Sequence, residues 1–77
     1  MAQRSSTDRQ LRVRLNGGWT TTSAGTVAAL LASLQIDPTR PGTAVALNGD
    51  VVPRATWAER ELCDDDQVEI IRAVQGG

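Results

Sequence analysis

The sequence predicts an α+β domain in which one sheet is covered on a single side by one helix. Three observations carry that prediction. Segments alternating apolar and polar residues stand near both ends of the chain, two Asn-Gly pairs mark tight turns, and one stretch between those turns repeats its apolar residues with helical spacing. The resulting order is strand, strand, helix, strand, strand, turn, strand, which leaves no second helix to cover the other face.

Leu11-Arg12-Val13-Arg14-Leu15 alternates apolar and charged residues, the period of a strand with one face on a core and one in water. Asn16-Gly17-Gly18 supplies a hairpin turn, because Asn and Gly tolerate positive φ, and Trp19–Thr22 returns as the second strand. Thr26 stands where a helix N-cap is needed, and Val27, Leu30, Leu31 and Leu34 follow it at i, i+3, i+4 and i+7. Ile36 closes that helix and Asp37-Pro38 stops it, since proline pushes the preceding residue away from helical angles.

Val45-Ala46-Leu47 reads as the third strand and Asn48-Gly49-Asp50 as the second hairpin turn. Val51-Val52 follows as a strand that Pro53 confines to a sheet edge. Ala55–Glu61 is too short for an independent helix and is expected to be a helical turn pinned by an inward Trp57. After an acidic turn at Asp64-Asp65-Asp66, Gln67–Arg72 is the last strand, with Val68 and Ile70 on one face and Glu69 and Ile71 on the other. The first and last strands are expected side by side at the sheet centre, with Arg12 and Arg14 opposite Glu69 on the open face.

At 77 residues with 40% hydrophobic content the chain supports one core and one domain. The domain is expected over residues 9–73, after a polar, disordered lead at 1–8 and before a flexible tail at 74–77. A net charge of −1 argues against a nucleic-acid binder, which needs a basic face, and no apolar run approaches a membrane span. Histidine is absent, which removes the commonest general base and metal ligand, and no glycine-rich phosphate loop is present. Asp64-Asp65-Asp66 lacks the alternating spacing of a calcium loop and reads as a solvated turn. Cys63 is the only cysteine and is read as passive, so the expected compartment is a reducing cytoplasm. These features describe a substrate or partner of enzymes rather than an enzyme.

The last strand runs into Val74-Gln75-Gly76-Gly77. Glycine has no Cβ, so such an ending can be threaded through a narrow slot and its carboxylate approached from any side. Four extended residues reach about 13 Å, comparable with the radius of gyration of a chain this long, so the tail clears its own domain.

Asn16-Gly17, Leu30-Leu31-x-x-Leu34, Ala44-Val45-Ala46-Leu47-Asn48-Gly49, Val51-Val52-Pro53-Arg54-x-x-Trp57 and the ending Val68 to Gly77 together resemble the ThiS family, sulfur carriers of bacterial thiamine biosynthesis. The resemblance runs from about Leu11 to the end. It implies a ubiquitin-like β-grasp fold, with a mixed sheet of about five strands covered on one face by a single helix. It also implies that Gly77 is the sulfur attachment point, first adenylated and then converted to a thiocarboxylate, with Gly76, Gln75 and Val74 recognised as its tail. The implied partners are an E1-like adenylyltransferase, thiazole synthase, and a persulfide donor such as a cysteine desulfurase or rhodanese-like protein. ATP and magnesium belong to the adenylyltransferase, and the chain itself is expected to bind no cofactor and to be a monomer when alone. Ile71, with Ala46 as a neighbour, and Arg72 are the expected partner-interface residues. The same body suits a carrier for molybdopterin or tRNA thiolation, or a ubiquitin-like modifier conjugated through Gly77.

Overall fold

The computed structural model describes residues 10–72. The expected lead at 1–8 and tail at 74–77 lie outside them. Within the described residues the order is β1 (Leu11–Leu15), β2 (Gly18–Thr22), α1 (Val27–Ser33), β3 (Thr43–Leu47), β4 (Asp50–Val51), a 3₁₀ turn (Arg54–Thr56) and β5 (Gln67–Arg72). The five strands form one mixed sheet in the order β2-β1-β5-β3-β4, with β5 parallel to β1 and antiparallel to β3. The last strand in sequence is therefore the middle strand in space.

Both Asn-Gly pairs form the turns their residue types favour, with φ of 49° and 89° at Asn16 and Gly17 and of 52° and 89° at Asn48 and Gly49. Positive φ at both central residues defines the type I′ turn, whose twist matches that of the strands it joins. The two asparagines also act as side-chain extensions of the sheet. Asn16 Oδ1 accepts from Ile70 N–H at 2.8 Å, while Asn48 Oδ1 accepts from Gln67 N–H at 2.9 Å. One lies on each flank of β5, so the central strand is gripped from both sides.

The helix starts as expected, and its orphan donors are all met. Thr26 Oγ1 accepts from Ala29 N–H and the Thr26 carbonyl from Leu30 N–H, while Val27 and Ala28 donate to the carbonyls of Arg60 and Trp57. The stop differs from the sequence expectation. The helix ends at Ser33, well before Pro38, because Gln35 adopts a left-handed φ of 63°. Gln35 N–H then bonds Ala32 O and Ile36 N–H bonds Leu31 O, a Schellman closure that needs no proline. Leu34 becomes the C-cap and is left 41% exposed, whereas Ile36 folds back against the core.

The core lies between α1 and the inward face of the sheet. Val13, Val45, Leu47 and Val68 from the strands meet Val27, Leu30 and Leu31 from the helix, with Val52, Trp57 and Leu62 closing one side. Trp57 is buried, as expected, and donates its indole N–H to Val52 O at 2.8 Å. The helical turn beside it spans only Arg54–Thr56, not Ala55–Glu61. β4 is one residue out of step with expectation: it holds Asp50 and Val51, while Val52 leaves the strand to enter the core ahead of Pro53.

One pairing is corrected by the register. Arg14 lies opposite Gln67 on β5, and Glu69 lies opposite Ala46 on β3, so neither Arg12 nor Arg14 faces Glu69. The two guanidiniums turn the other way and stack on Trp19 of β2, at 4.2 Å and 5.9 Å from the ring centroid.

Candidate functional site

A strand on which a partner could act needs firm support and an accessible apolar surface at its end. β5 meets both conditions. Beyond the Asn16 and Asn48 side chains, it is paired with β3 from Leu47↔Val68 to Thr43↔Arg72, all but its first residue. Its N-terminal end is anchored by the acidic turn, whose carboxylates bond protein groups. Asp64 Oδ1 accepts from Arg12 N–H at 2.9 Å, Asp66 Oδ2 from Cys63 N–H at 2.7 Å, and Asp66 Oδ1 from Asn48 Nδ2 at 2.9 Å. Asp65 supplies a left-handed φ of 70°. The run is a capped turn, and among the described residues no cluster of His, Cys, Asp and Glu is arranged to hold a metal ion. Cys63 is exposed beside this turn, and four strand residues separate the turn from Ile71.

At its other end β5 presents Ile71 outward, 61% exposed. Its direct cross-strand partner is Ala44, and Ala46 lies one pleat away on the same face, opposite both Glu69 on β5 and Val51 on β4. Val51 is 76% exposed. Ile71, Ala44, Ala46 and Val51 thus form one apolar patch on the helix-free face, at the end of β5 that carries Arg72. Ile71 and Ala46 were legible from alternation, but Ala44 and Val51 were missed. The signal was the two-residue turn itself: Asn48-Gly49 fixes Leu47 opposite Asp50 and hence Ala46 opposite Val51.

Arg72 is on the opposite face from Ile71. It pairs with Thr43 and lines a groove of about 620 Å³ together with Ile36, Asp37, Arg40 and Gly42. The two residues therefore offer separate contacts rather than one patch. Behind the loop that lines this groove, Arg54 stacks on Trp57 with its guanidinium carbon 4.6 Å from the ring centroid. Arg54 donates from Nη1 to Pro38 O and from Nη2 to Thr43 O at 3.4 Å. In the run Val51-Val52-Pro53-Arg54-x-x-Trp57, proline ends the strand, tryptophan anchors the turn, and arginine ties down the loop beside Arg72. Within that loop Asp37 is held below the ordinary carboxylate range, first by the Thr39 hydroxyl and then by the Thr39 N–H.

The terminal residues Gly77, Gly76, Gln75 and Val74 lie outside the described residues.

Comparison with known proteins gives a consistent result. The sequence model of the ThiS family matches residues 8–77. The chain is 37% identical over 43 residues to the sulfur carrier protein ThiS of Escherichia coli K12, an alignment covering 56% of this chain and 65% of that protein, just under two thirds of its length. The solved structure of the thiamine biosynthesis protein ThiS from Geobacter metallireducens superposes with a TM-score of 0.72 at 27% identity, covering 87% of this chain and all of that one. The mixed five-strand sheet with a single helix is the ubiquitin-like β-grasp.

Proposed function

The chain belongs to the ThiS family, and from that premise we propose that it carries sulfur for thiazole formation in thiamine biosynthesis on its C-terminal glycine, Gly77. The observation that carries this reading is the position of β5: the central strand, clamped on both flanks, ends at Arg72 beside an exposed apolar patch, five residues before Gly77 in the sequence. A carrier needs a rigid body, a slim terminus and a docking surface, while the bond-making groups belong to its partners.

In the proposed cycle an E1-like adenylyltransferase, with its own ATP and magnesium, lets the Gly77 carboxylate attack the α-phosphorus and release pyrophosphate. The resulting acyl-adenylate has a good leaving group where the carboxylate had none. The terminal sulfur of a persulfide donor displaces AMP, and a thiol then reduces the S–S bond to release the Gly77 thiocarboxylate. Thiazole synthase takes the sulfur from it. Ile71 and its apolar neighbours dock the adenylyltransferase, and Arg72, on the other face, meets acidic groups of the same enzyme. The absence of lysine leaves such a reactive acyl group few amines of its own chain to attack.

The test is complementation. In a bacterium lacking its own thiazole sulfur carrier, the chain is expected to restore growth without added thiazole, and the chain lacking Gly77 is not. Rescue by both would refute the role assigned to Gly77, and rescue by neither, with both proteins expressed, would assign the carrier to another pathway.

A further inference from the structure

The two edges of the sheet are not alike. β4 is two residues long and is cut off by Pro53, a common way of closing an edge. β2 is five residues long, Gly18-Trp19-Thr20-Thr21-Thr22, with no proline and no charge of its own. Among the described residues nothing pairs with its outer side.

The hydrogen-bond phase of β2 follows from its neighbours. Arg14 N–H bonds Asp66 O, Arg12 N–H bonds Asp64 Oδ1, and Arg12 O accepts from Asp65 N–H, so the even-numbered residues of β1 point their peptide groups toward β5 and the acidic turn. Leu11, Val13 and Leu15 are left to bond β2, through Thr22, Thr20 and Gly18. The N–H and C=O groups of Trp19 and Thr21 therefore point away from the sheet, at the open edge. The side chains of these same two residues lie on the helix-free face, opposite Arg14 and Arg12.

Trp19 is 50% exposed and carries the Arg12 and Arg14 guanidiniums over its ring. Stacking draws both charges off β1 and holds them above β2, within reach of a chain lying along its edge. Arg14 has one further partner, a long bond to Gly17 O, and that is a carbonyl rather than a carboxylate. We infer that the outer edge of β2, with the Arg12–Trp19–Arg14 stack beside it, is a docking site for an extended acidic segment of a partner protein, which adds as a sixth strand.

The peptide groups of Trp19 and Thr21 supply the ladder, and carboxylates on alternate residues of the incoming strand meet the guanidiniums. A second copy of this chain is disfavoured as the occupant. Pairing β2 against β2 would set two such cationic stacks side by side with no carboxylate between them. The site is two strands away from Ile71 of β5, so it can be filled while the Ile71 patch is engaged.

The test uses the full chain, ¹⁵N-labelled, titrated with capped Glu-Val-Glu-Val-Glu and, separately, capped Lys-Val-Lys-Val-Lys. The acidic peptide is expected to shift the Trp19 and Thr21 amides and to slow their hydrogen exchange, and to weaken as salt is raised. Joint Arg12→Glu and Arg14→Glu substitution is expected to weaken it by about tenfold or more. Thr21→Pro removes an outward N–H that the sheet does not use, and is expected to abolish the interaction while the amide spectrum of α1 is unchanged. Equal binding of the basic peptide, shifts centred on Ala46 and Ile71, full binding by a folded Thr21→Pro variant, or self-association of the chain through β2 would each overturn the inference.

Discussion

The Asn16 side chain grips the backbone of Ile70: Oδ1 accepts its N–H at 2.8 Å, and Nδ2 donates to its carbonyl at 3.4 Å. β1 ends at Leu15, so this clasp continues the β1–β5 ladder after the backbone of β1 has turned away. It acts two residues before Arg72, at the last part of β5 before the tail.

Replacing Asn16 tests that clasp. Asn16→Ala removes both bonds and forces alanine to a φ of 49°, and is expected to cost about 1–2 kcal/mol in urea unfolding. Asn16→Gly keeps the turn and loses only the bonds, so it is expected to cost less than alanine while still accelerating hydrogen exchange at Ile70. Unchanged exchange at Ile70 in both variants would show that β3 alone holds this end of β5.

Arg54 is expected to resist conservative replacement. It offers a planar group that stacks on Trp57 while bonding two carbonyls of the 38–43 loop, and the compact ammonium of lysine cannot do both. Arg54→Lys and Arg54→Ala should both lower stability by about 1–2 kcal/mol and raise exchange in the 38–43 loop. Full retention of stability and exchange protection in the lysine variant would contradict this role.

The acid branch of stability should carry a contribution from Asp37. Its carboxyl is lowered from an ordinary value of 3.8 by the Thr39 hydroxyl and then the Thr39 N–H, so the folded state favours the charged form. A lowered folded value means stabilisation present above 3.8 and lost as pH falls below it, through the lowered value. Asp37→Asn is expected to flatten the decline in melting temperature below that pH and to change the pH dependence little near neutrality. An unaltered acid profile in the variant would refute the assignment.

The apolar patch makes a kinetic prediction. Ile71→Glu places a charge on an outward side chain that is 61% exposed, so folding should change by less than about 0.5 kcal/mol. Burying that charge against the adenylyltransferase should instead slow adenylation by tenfold or more, about 1.4 kcal/mol. A variant adenylated at the unaltered rate would remove Ile71 from the interface.

Much of this architecture was legible because its signals are local. Period-two alternation located β1 and β5, helical spacing located α1, and Asn-Gly located both hairpins, each being a short-range steric or hydrophobic constraint. What remained hidden depends on long-range placement. Gln35 ends α1 by taking a left-handed φ, which no rule about glutamine anticipates. The second use of Asn16 and Asn48, as clamps on β5, arises only once β5 lies between the two hairpins. Alternation puts Arg12, Arg14 and Glu69 on one face but does not set their register, and the parallel β1–β5 register places Gln67 opposite Arg14. At the candidate site, Ile71 and Ala46 could be read from strand parity, whereas Ala44 and Val51 needed the pairing of β3 with its neighbours.

The most direct measurement is the intact mass of the chain after incubation with an E1-like adenylyltransferase, magnesium ATP and a persulfide donor, beside a variant lacking Gly77. The account predicts a gain equal to exchanging one oxygen for one sulfur, in the full-length chain alone. No gain with an enzyme that demonstrably activates another carrier, or the same gain without Gly77, would contradict it.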